Sequence, residues 1–138
     1  MTAPDEIALT ALVEQAREAA LGAYAPYSNF RVGAALLTPE GTLTGANVEN
    51  ASYGLGICAE RVAIAHAVAG GHREFVALAV ACIDAQPGTG LAGLTPCGAC
   101  RQWFLEFAPD LPVLIARPAA EPARFTAAEL LPNGFRLD

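Results

Sequence analysis

Phe75-Val76-Ala77-Leu78-Ala79-Val80-Ala81-Cys82-Ile83 is a run of nine apolar residues with no polar alternation. A strand with one face in solvent alternates and a strand covered on both faces does not, so this run predicts a strand inside a sheet flanked by helices. Upstream of it, Cys58 to Ala69 reads as a helix stopped by Gly70-Gly71. Downstream, Gln86 to Pro96 is loop, Cys97 to Phe107 suits a helix, and Val113 to Ala116 is another buried strand. Thr126 to Leu131 reads as a short last helix before the tail from Pro132 to Asp138. Nearer the start, Arg31 to Thr38 and Thr42 to Val48 flank Pro39-Glu40-Gly41, which is a hairpin pattern. Between Glu6 and Tyr24, Leu9, Leu12, Val13, Ala16, Ala19, Ala20 and Ala23 fall at helical spacing, with Glu14, Arg17 and Glu18 on the other side. Strands alternating with helices predict an α/β layered sandwich built on a mixed sheet.

At 138 residues the chain has the length of one domain, and residues 1–138 are read as a single unit without repeat or linker. With 54% hydrophobic and 16% charged residues it is neither disordered nor fibrous. Eight basic against fourteen acidic side chains leave a net charge of −6, with no basic run, so neither nucleic acid nor an anionic membrane is expected as a partner. All eight basic residues are Arg. The absence of Lys removes Walker A phosphate loops and Schiff-base chemistry, and two Ser without a G-x-S-x-G motif argue against an α/β-hydrolase nucleophile. Asp5 and Glu6 stand where a secretory leader would be apolar, and no apolar run reaches bilayer length, so a cytoplasmic location is expected. In a reducing compartment Cys58, Cys82, Cys97 and Cys100 are better read as metal ligands or core residues than as disulfides.

Two segments concentrate chemistry: Gly56-Ile57-Cys58-Ala59-Glu60-Arg61 and Thr95-Pro96-Cys97-Gly98-Ala99-Cys100-Arg101-Gln102. Each opens a predicted helix. Cys97 and Cys100 are three apart, so a first helical turn puts both sulfurs on one face, and the positive end of the helix favours the thiolate that a metal needs. By itself a C-x-x-C pair suits structural zinc, a redox dithiol or a catalytic ion. Cys58 would add a third sulfur from the start of its own helix. Three ligands leave zinc's fourth position open to water, whose pKa can fall to about 7. Glu60 stands two residues from Cys58, an offset that on a regular helix sends side chains to nearly opposite faces. Both can address one ion if Cys58 is the non-helical cap and Glu60 lies in the first turn, where the carboxylate becomes a general base. Cys82, inside the apolar run, is expected in the core, as are Trp103, Phe104 and Phe107. A rival reading makes Cys82 the fourth ligand of a purely structural zinc module. His66, eight residues beyond Cys58, is too far along the helix to share the ion, and it and His72 read as packing or surface residues.

C-x-E followed by P-C-x-x-C is the signature of zinc nucleobase deaminases in a three-Cys form. The chain resembles, over nearly its whole length, the small homotetrameric zinc-dependent cytidine deaminases. The blocks that carry the resemblance are Tyr27-Ser28-Asn29-Phe30-Arg31-Val32-Gly33-Ala34-Ala35, Asn47-Val48-Glu49-Asn50-Ala51, Cys58-Ala59-Glu60-Arg61, Pro96 to Gln102, and Leu130-Leu131-Pro132 with Phe135. The resemblance implies a three-layer α/β/α sandwich with a mixed five-stranded sheet. It also implies hydrolytic deamination of cytidine and deoxycytidine in pyrimidine salvage. Cys58, Cys97 and Cys100 would hold Zn2+, zinc-bound hydroxide would attack C4, and Glu60 would shuttle protons. Asn47 and Glu49 would bond the ribose hydroxyls and Phe30 would pack on the nucleoside, while Tyr53 and Phe135 would border a neighbouring subunit's site. Spaced i, i+2 on extended chain, Asn47 and Glu49 share a face, which suits sugar hydroxyls or a staple of the loop. Three thiolates over-neutralise zinc, and Arg61, rather than Arg101, would restore the balance by donating to sulfur. A related chemistry on another cytosine-bearing molecule, such as blasticidin S, is the enzymatic alternative. One departure stands out: Arg31 occupies a position where many relatives carry Pro.

Overall fold

A computed structural model describes residues 4–137 of the chain. Its elements in order are α1 (Glu6–Ala19), β1 (Val32–Thr38), β2 (Gly41–Ala46), α2 (Ala59–Ala69), β3 (Ala77–Cys82), α3 (Gly98–Phe107), β4 (Pro112–Arg117), β5 (Ala120–Thr126) and α4 (Ala127–Leu130). The five strands form one sheet in the order β2-β1-β3-β4-β5, antiparallel throughout except for the parallel pair β3–β4. The apolar run is its central strand. Side chains of β3 alternate between two apolar layers, as burial on both faces demands. Leu78 and Val80 join Leu36, Val113 and Ile115 in the core under α2, α3 and α4. Ala77, Ala79 and Ala81 face the other way, onto Leu9, Leu12, Val13 and Ala16 of α1.

Local chemistry explains the ends of the elements. Asp5 caps α1, its carboxylate accepting from the Ala8 N–H at 2.8 Å. The chain then tightens into a 3-10 turn, Ala20–Gly22, so the regular helix ends before the expected Tyr24. Pro39 and Glu40 make the two-residue turn of the β1–β2 hairpin, with Thr38 paired to Gly41. Gly71 takes the left-handed φ of +94° just beyond α2, where a side chain would be strained. The fifth strand, β5, is a partly exposed edge interrupted by Pro122 and flanked by Glu121 and Arg124, features that hide a strand from sequence patterns and protect an edge from mispairing. Trp103 departs from expectation. It is 36% exposed, while Phe104 is fully buried and Phe107 half-buried beside Phe75.

Two glycines on neighbouring strands seat helices on opposite faces. A Cβ at Gly33 would lie 2.0 Å from the Ala16 carbonyl oxygen of α1, and one at Gly45 would lie 2.4 Å from the Ala63 nitrogen of α2. Backbone against backbone leaves nothing flexible to move. Gly45→Ala is therefore expected to lower stability by about 2 to 3 kcal/mol through overpacking and to shift α2 outward, in thermal unfolding monitored by circular dichroism. An unchanged Tm would show that α2 is not seated on Gly45.

The topology also creates a crevice. β2 and β3 run parallel to one another on either side of β1, and α2 and α3 make the crossovers to β3 and β4 on the same face. Both helices therefore begin at the carboxyl ends of strands, where open α/β sheets gather ligands.

Candidate active site

Cys58 and Cys97 are the N-cap residues of α2 and α3, each in extended conformation, with φ/ψ of −74°/153° and −68°/167°. An N-cap side chain ordinarily accepts from the helix's free N–H groups. Neither cysteine does, so both sulfurs are left for another partner. Because Cys58 is extended, Glu60 in the first turn of α2 can address the same space. Cys100, in the first turn of α3, completes a cluster in which the three sulfurs lie within 4.8 Å of one another. Cys58 Sγ is 3.7 Å from Cys97 Sγ, which is 3.6 Å from Cys100 Sγ. A tetrahedron with Zn–S bonds of about 2.3 Å has S···S edges of about 3.8 Å, so the cluster already has the spacing of three zinc ligands. It is far too open for disulfides.

The charges fit the same purpose. Hydrogen bonding from Cys100, and then from Arg61 and Cys97, holds the Cys58 thiol down at about 5, against the penalty of burial. Cys100 moves upward, because its thiol donates to Cys58 and burial opposes a second anion. Three thiolates this close repel one another, and a divalent ion is what allows all three sulfurs to ionise. Arg61 Nη2–H donates to Cys58 Sγ at 3.4 Å, and this bond raises the guanidinium pKa. Among the described residues its Nε has no hydrogen-bond partner although it is buried, so the guanidinium keeps a further donor. Arg101 does something else. It donates to the carbonyl oxygens of Pro96 (2.7 Å) and Leu130 (2.7 Å) and to Thr95 Oγ1 (3.1 Å), tying the approach to α3 onto the end of α4.

Glu60 is 4% exposed, and burial pushes its carboxyl up from 4.5 to about 7. It faces a cavity of about 270 Å³ that Phe30, Asn47, Glu49, Cys58 and Cys97 also line. Glu49 Oε1 accepts from the N–H groups of Tyr27 (3.0 Å) and Ser28 (3.1 Å), while the Ser28 hydroxyl donates to Oε2 and does most to hold the carboxyl below its ordinary range. Asn47 accepts from Val32 N–H at 2.9 Å and donates to the Phe30 carbonyl at 3.0 Å. A carboxylate has about four acceptor positions and an amide two donors, so each retains capacity for a ligand at the mouth. The sequence assigns Ser28 no role of its own, although it stands in the Tyr27 to Ala35 block that carries the resemblance.

Not every expected residue enters this cavity. Tyr53 is 82% exposed and lines an adjoining hollow of about 300 Å³ with Tyr27, Ser28 and Glu49. Phe135 is 69% exposed, its carbonyl held by Gln102 Nε2 at 2.8 Å on α3. Cys82 is half-buried on the cavity wall rather than deep in the core, and burial pushes its thiol up to about 12. It is not part of the three-sulfur cluster, which removes the four-Cys structural module. His66 lies against the Thr44 carbonyl (3.1 Å) and His72 against Glu40 (3.2 Å), both away from the sulfurs.

Known proteins agree with this geometry. Residues 7–115 match the family model described as the cytidine and deoxycytidylate deaminase zinc-binding region. A cytidine deaminase of Halalkalibacterium halodurans is 45% identical over 90% of this chain and 91% of its own length. One from Mycobacterium tuberculosis is 47% identical over 89% and 86%. The crystal structure of a cytidine deaminase from Burkholderia pseudomallei superposes with a TM-score of 0.82 at 47% identity, covering 91% of this chain and 98% of that one. With three sulfurs at zinc spacing, a buried acid beside them and relatives alike from end to end, this chain belongs to the zinc-binding cytidine and deoxycytidylate deaminase family.

Proposed function

We propose that the protein hydrolyses cytidine and deoxycytidine to uridine and deoxyuridine with release of ammonia, serving pyrimidine salvage in the cytoplasm. The observation that carries the reading is the buried Glu60 carboxyl sharing one small cavity with Cys58 and Cys97, whose sulfurs cluster with that of the buried Cys100. A cavity of about 270 Å³ suits a nucleoside rather than a polymer. Among the described residues no helix is long and apolar enough to cross a membrane.

Cys58, Cys97 and Cys100 would hold Zn2+, which when bound supplies a Lewis acid able to bring the pKa of water towards about 7. Glu60 takes a proton from the attacking water as its oxygen bonds to C4, and delivers that proton to ring N3. It then carries the second proton to the amino group, whose C4–N bond breaks to release ammonia. A carboxyl poised near neutral pH both accepts and gives protons readily, and burial, helped by the negative charge of Cys58, raises Glu60 to that range. Asn47 and Glu49 orient the sugar through its hydroxyls, and Phe30 covers the nucleoside. Arg61 draws charge from Cys58 sulfur. Tyr27 and Tyr53 line the hollow beside the site, and Tyr24, Val48, Leu55 and, in the tail, Phe135 are exposed as well. This apolar surface supports self-association, read as a homotetramer in which neighbours wall each other's sites.

The test is zinc content per chain together with ammonia release from cytidine, deoxycytidine, free cytosine and blasticidin S. Turnover of the two nucleosides is expected; turnover of blasticidin S alone would overturn the reading. Arg61→Ala is expected to keep zinc but lower kcat by about 10- to 100-fold, as loss of a hydrogen bond to a metal ligand does. An unchanged kcat at neutral pH would remove Arg61 from the site's charge balance.

A further inference from the structure

The cavity wall formed by Ser28, Phe30 and Val32 belongs to no complete ladder, yet its backbone is bonded at every turn. Phe30 N–H donates to Ser28 Oγ at 3.0 Å, and the Phe30 carbonyl accepts from Asn47 Nδ2 at 3.0 Å. Val32 N–H donates to Asn47 Oδ1 at 2.9 Å. These bonds hold the segment from the β2 side. On the other side the β1–β3 pairing ends at Val32 opposite Cys82, and one more bond runs from Ile83 N–H to the Arg31 carbonyl at 3.2 Å. The next donor in line is Arg31 N–H, at the point where the two strands part.

Asp84 takes that donor. Its Oδ2 accepts from Arg31 N–H at 2.8 Å and from Arg31 Nε–H at 3.0 Å, and its Oδ1 accepts from Nη2–H at 2.9 Å. One carboxylate thus holds a backbone amide and both prongs of the guanidinium. An exposed ion pair alone contributes little, but a fork that also anchors a backbone amide fixes where the chain goes. Arg31 stands between Phe30 and Val32, and Asp84 stands two residues beyond Cys82, so the contact ties together two segments that wall the cavity.

We propose that Asp84 is a positioning residue for substrate binding: by holding the backbone of Arg31 it fixes Phe30 in the place where that ring meets the nucleoside. This rests on the deaminase reading for what Phe30 touches, though not for the anchoring itself. The contribution is to affinity, since a wall held ready costs less ordering when the ligand arrives, while the atoms that react lie on α2 and α3. The backbone bond matters more than the charge, because it alone determines the path of the chain.

The test compares Asp84→Ala, Asp84→Asn and Arg31→Ala in the zinc-loaded protein. For Asp84→Ala, KM for cytidine is expected to rise about tenfold, the size of one lost hydrogen bond to a charged group, with zinc content retained and kcat changed less than about twofold. Amide hydrogen exchange in the peptide spanning residues 28–34 should quicken about tenfold. Asp84→Asn keeps an acceptor for Arg31 N–H, and Arg31→Ala keeps both that N–H and its carboxylate, so each should raise KM less than about threefold. An unchanged KM in Asp84→Ala, a loss confined to kcat, or an equal loss in Arg31→Ala would overturn the proposal. If the unaltered protein fails to turn over cytidine, the deaminase reading falls instead. The anchoring is then decided by exchange alone, with faster exchange in Asp84→Ala supporting it and unchanged exchange refuting it.

Discussion

Glu60→Gln is expected to reduce kcat by about 10²- to 10⁴-fold, the range that a positioned proton carrier supplies, while zinc per chain and circular dichroism stay as they were. The substitution keeps the shape of the side chain and removes only its ability to exchange protons. It should also do something that loss of a structural residue never does, which is to stabilise the protein stripped of metal. Burial raises the Glu60 carboxyl from 4.5 to about 7, so the folded protein prefers the protonated form. Stability from this group is complete below pH 4.5 and is lost as pH rises through about 7, where the folded protein must carry a buried anion. At pH 8 that cost reaches about 3 kcal/mol, from about 1.4 kcal/mol per pH unit. Denaturant unfolding of the chelated protein at pH 5 and pH 8 reads it directly: Gln should gain over Glu at pH 8 and not at pH 5. Activity retained in Glu60→Gln would contradict the mechanism whatever the stability shows.

Cys97→Ala is expected to abolish zinc retention and turnover together. Cys97 bridges the cluster, with sulfur neighbours on both sides at 3.7 and 3.6 Å, and although it is the N-cap residue of α3 its side chain makes no capping bond. Its removal should therefore cost the metal without costing the helix. For the unaltered protein, zinc at a thousandfold excess over its dissociation constant adds about 4 kcal/mol to stability, which chelation should reverse. In Cys97→Ala, Tm should no longer respond to added zinc. A variant that holds one zinc per chain and deaminates cytidine would show that the ion is bound elsewhere.

The fold was legible wherever burial leaves its mark on composition. The unbroken apolar run from Phe75 to Ile83 announces the central strand because both of its faces pack, one onto α1 and one under α2 and α3. β5 was illegible for the opposite reason. It is an edge strand carrying Pro122, and its turn from β4 uses Ala119 at φ +55°, a conformation for which alanine gives no signal. Trp103 misled because helical spacing places it near the apolar face without saying how far the core extends.

The cluster of sulfurs was legible because metal binding restricts residue type and spacing together. The position of Cys58 as an extended cap resolves the awkward offset to Glu60, a matter of a few backbone angles. What spacing could not show was the network around Phe30. Ser28, Asn47 and Asp84 come to it from 2, 17 and 54 residues away along the chain, brought together only by the hairpin and by β1–β3 pairing. Arg31 supplies there a donor fork and a backbone amide that a proline would lack.

Zinc K-edge X-ray absorption of the metal-loaded protein addresses the arrangement on which everything else depends. The expected spectrum is that of three sulfur neighbours at about 2.3 Å and one light oxygen or nitrogen neighbour at about 2.0 Å. Four sulfurs, or two, would mean an ion closed to water or held by other residues, and hydrolysis at this site would be ruled out.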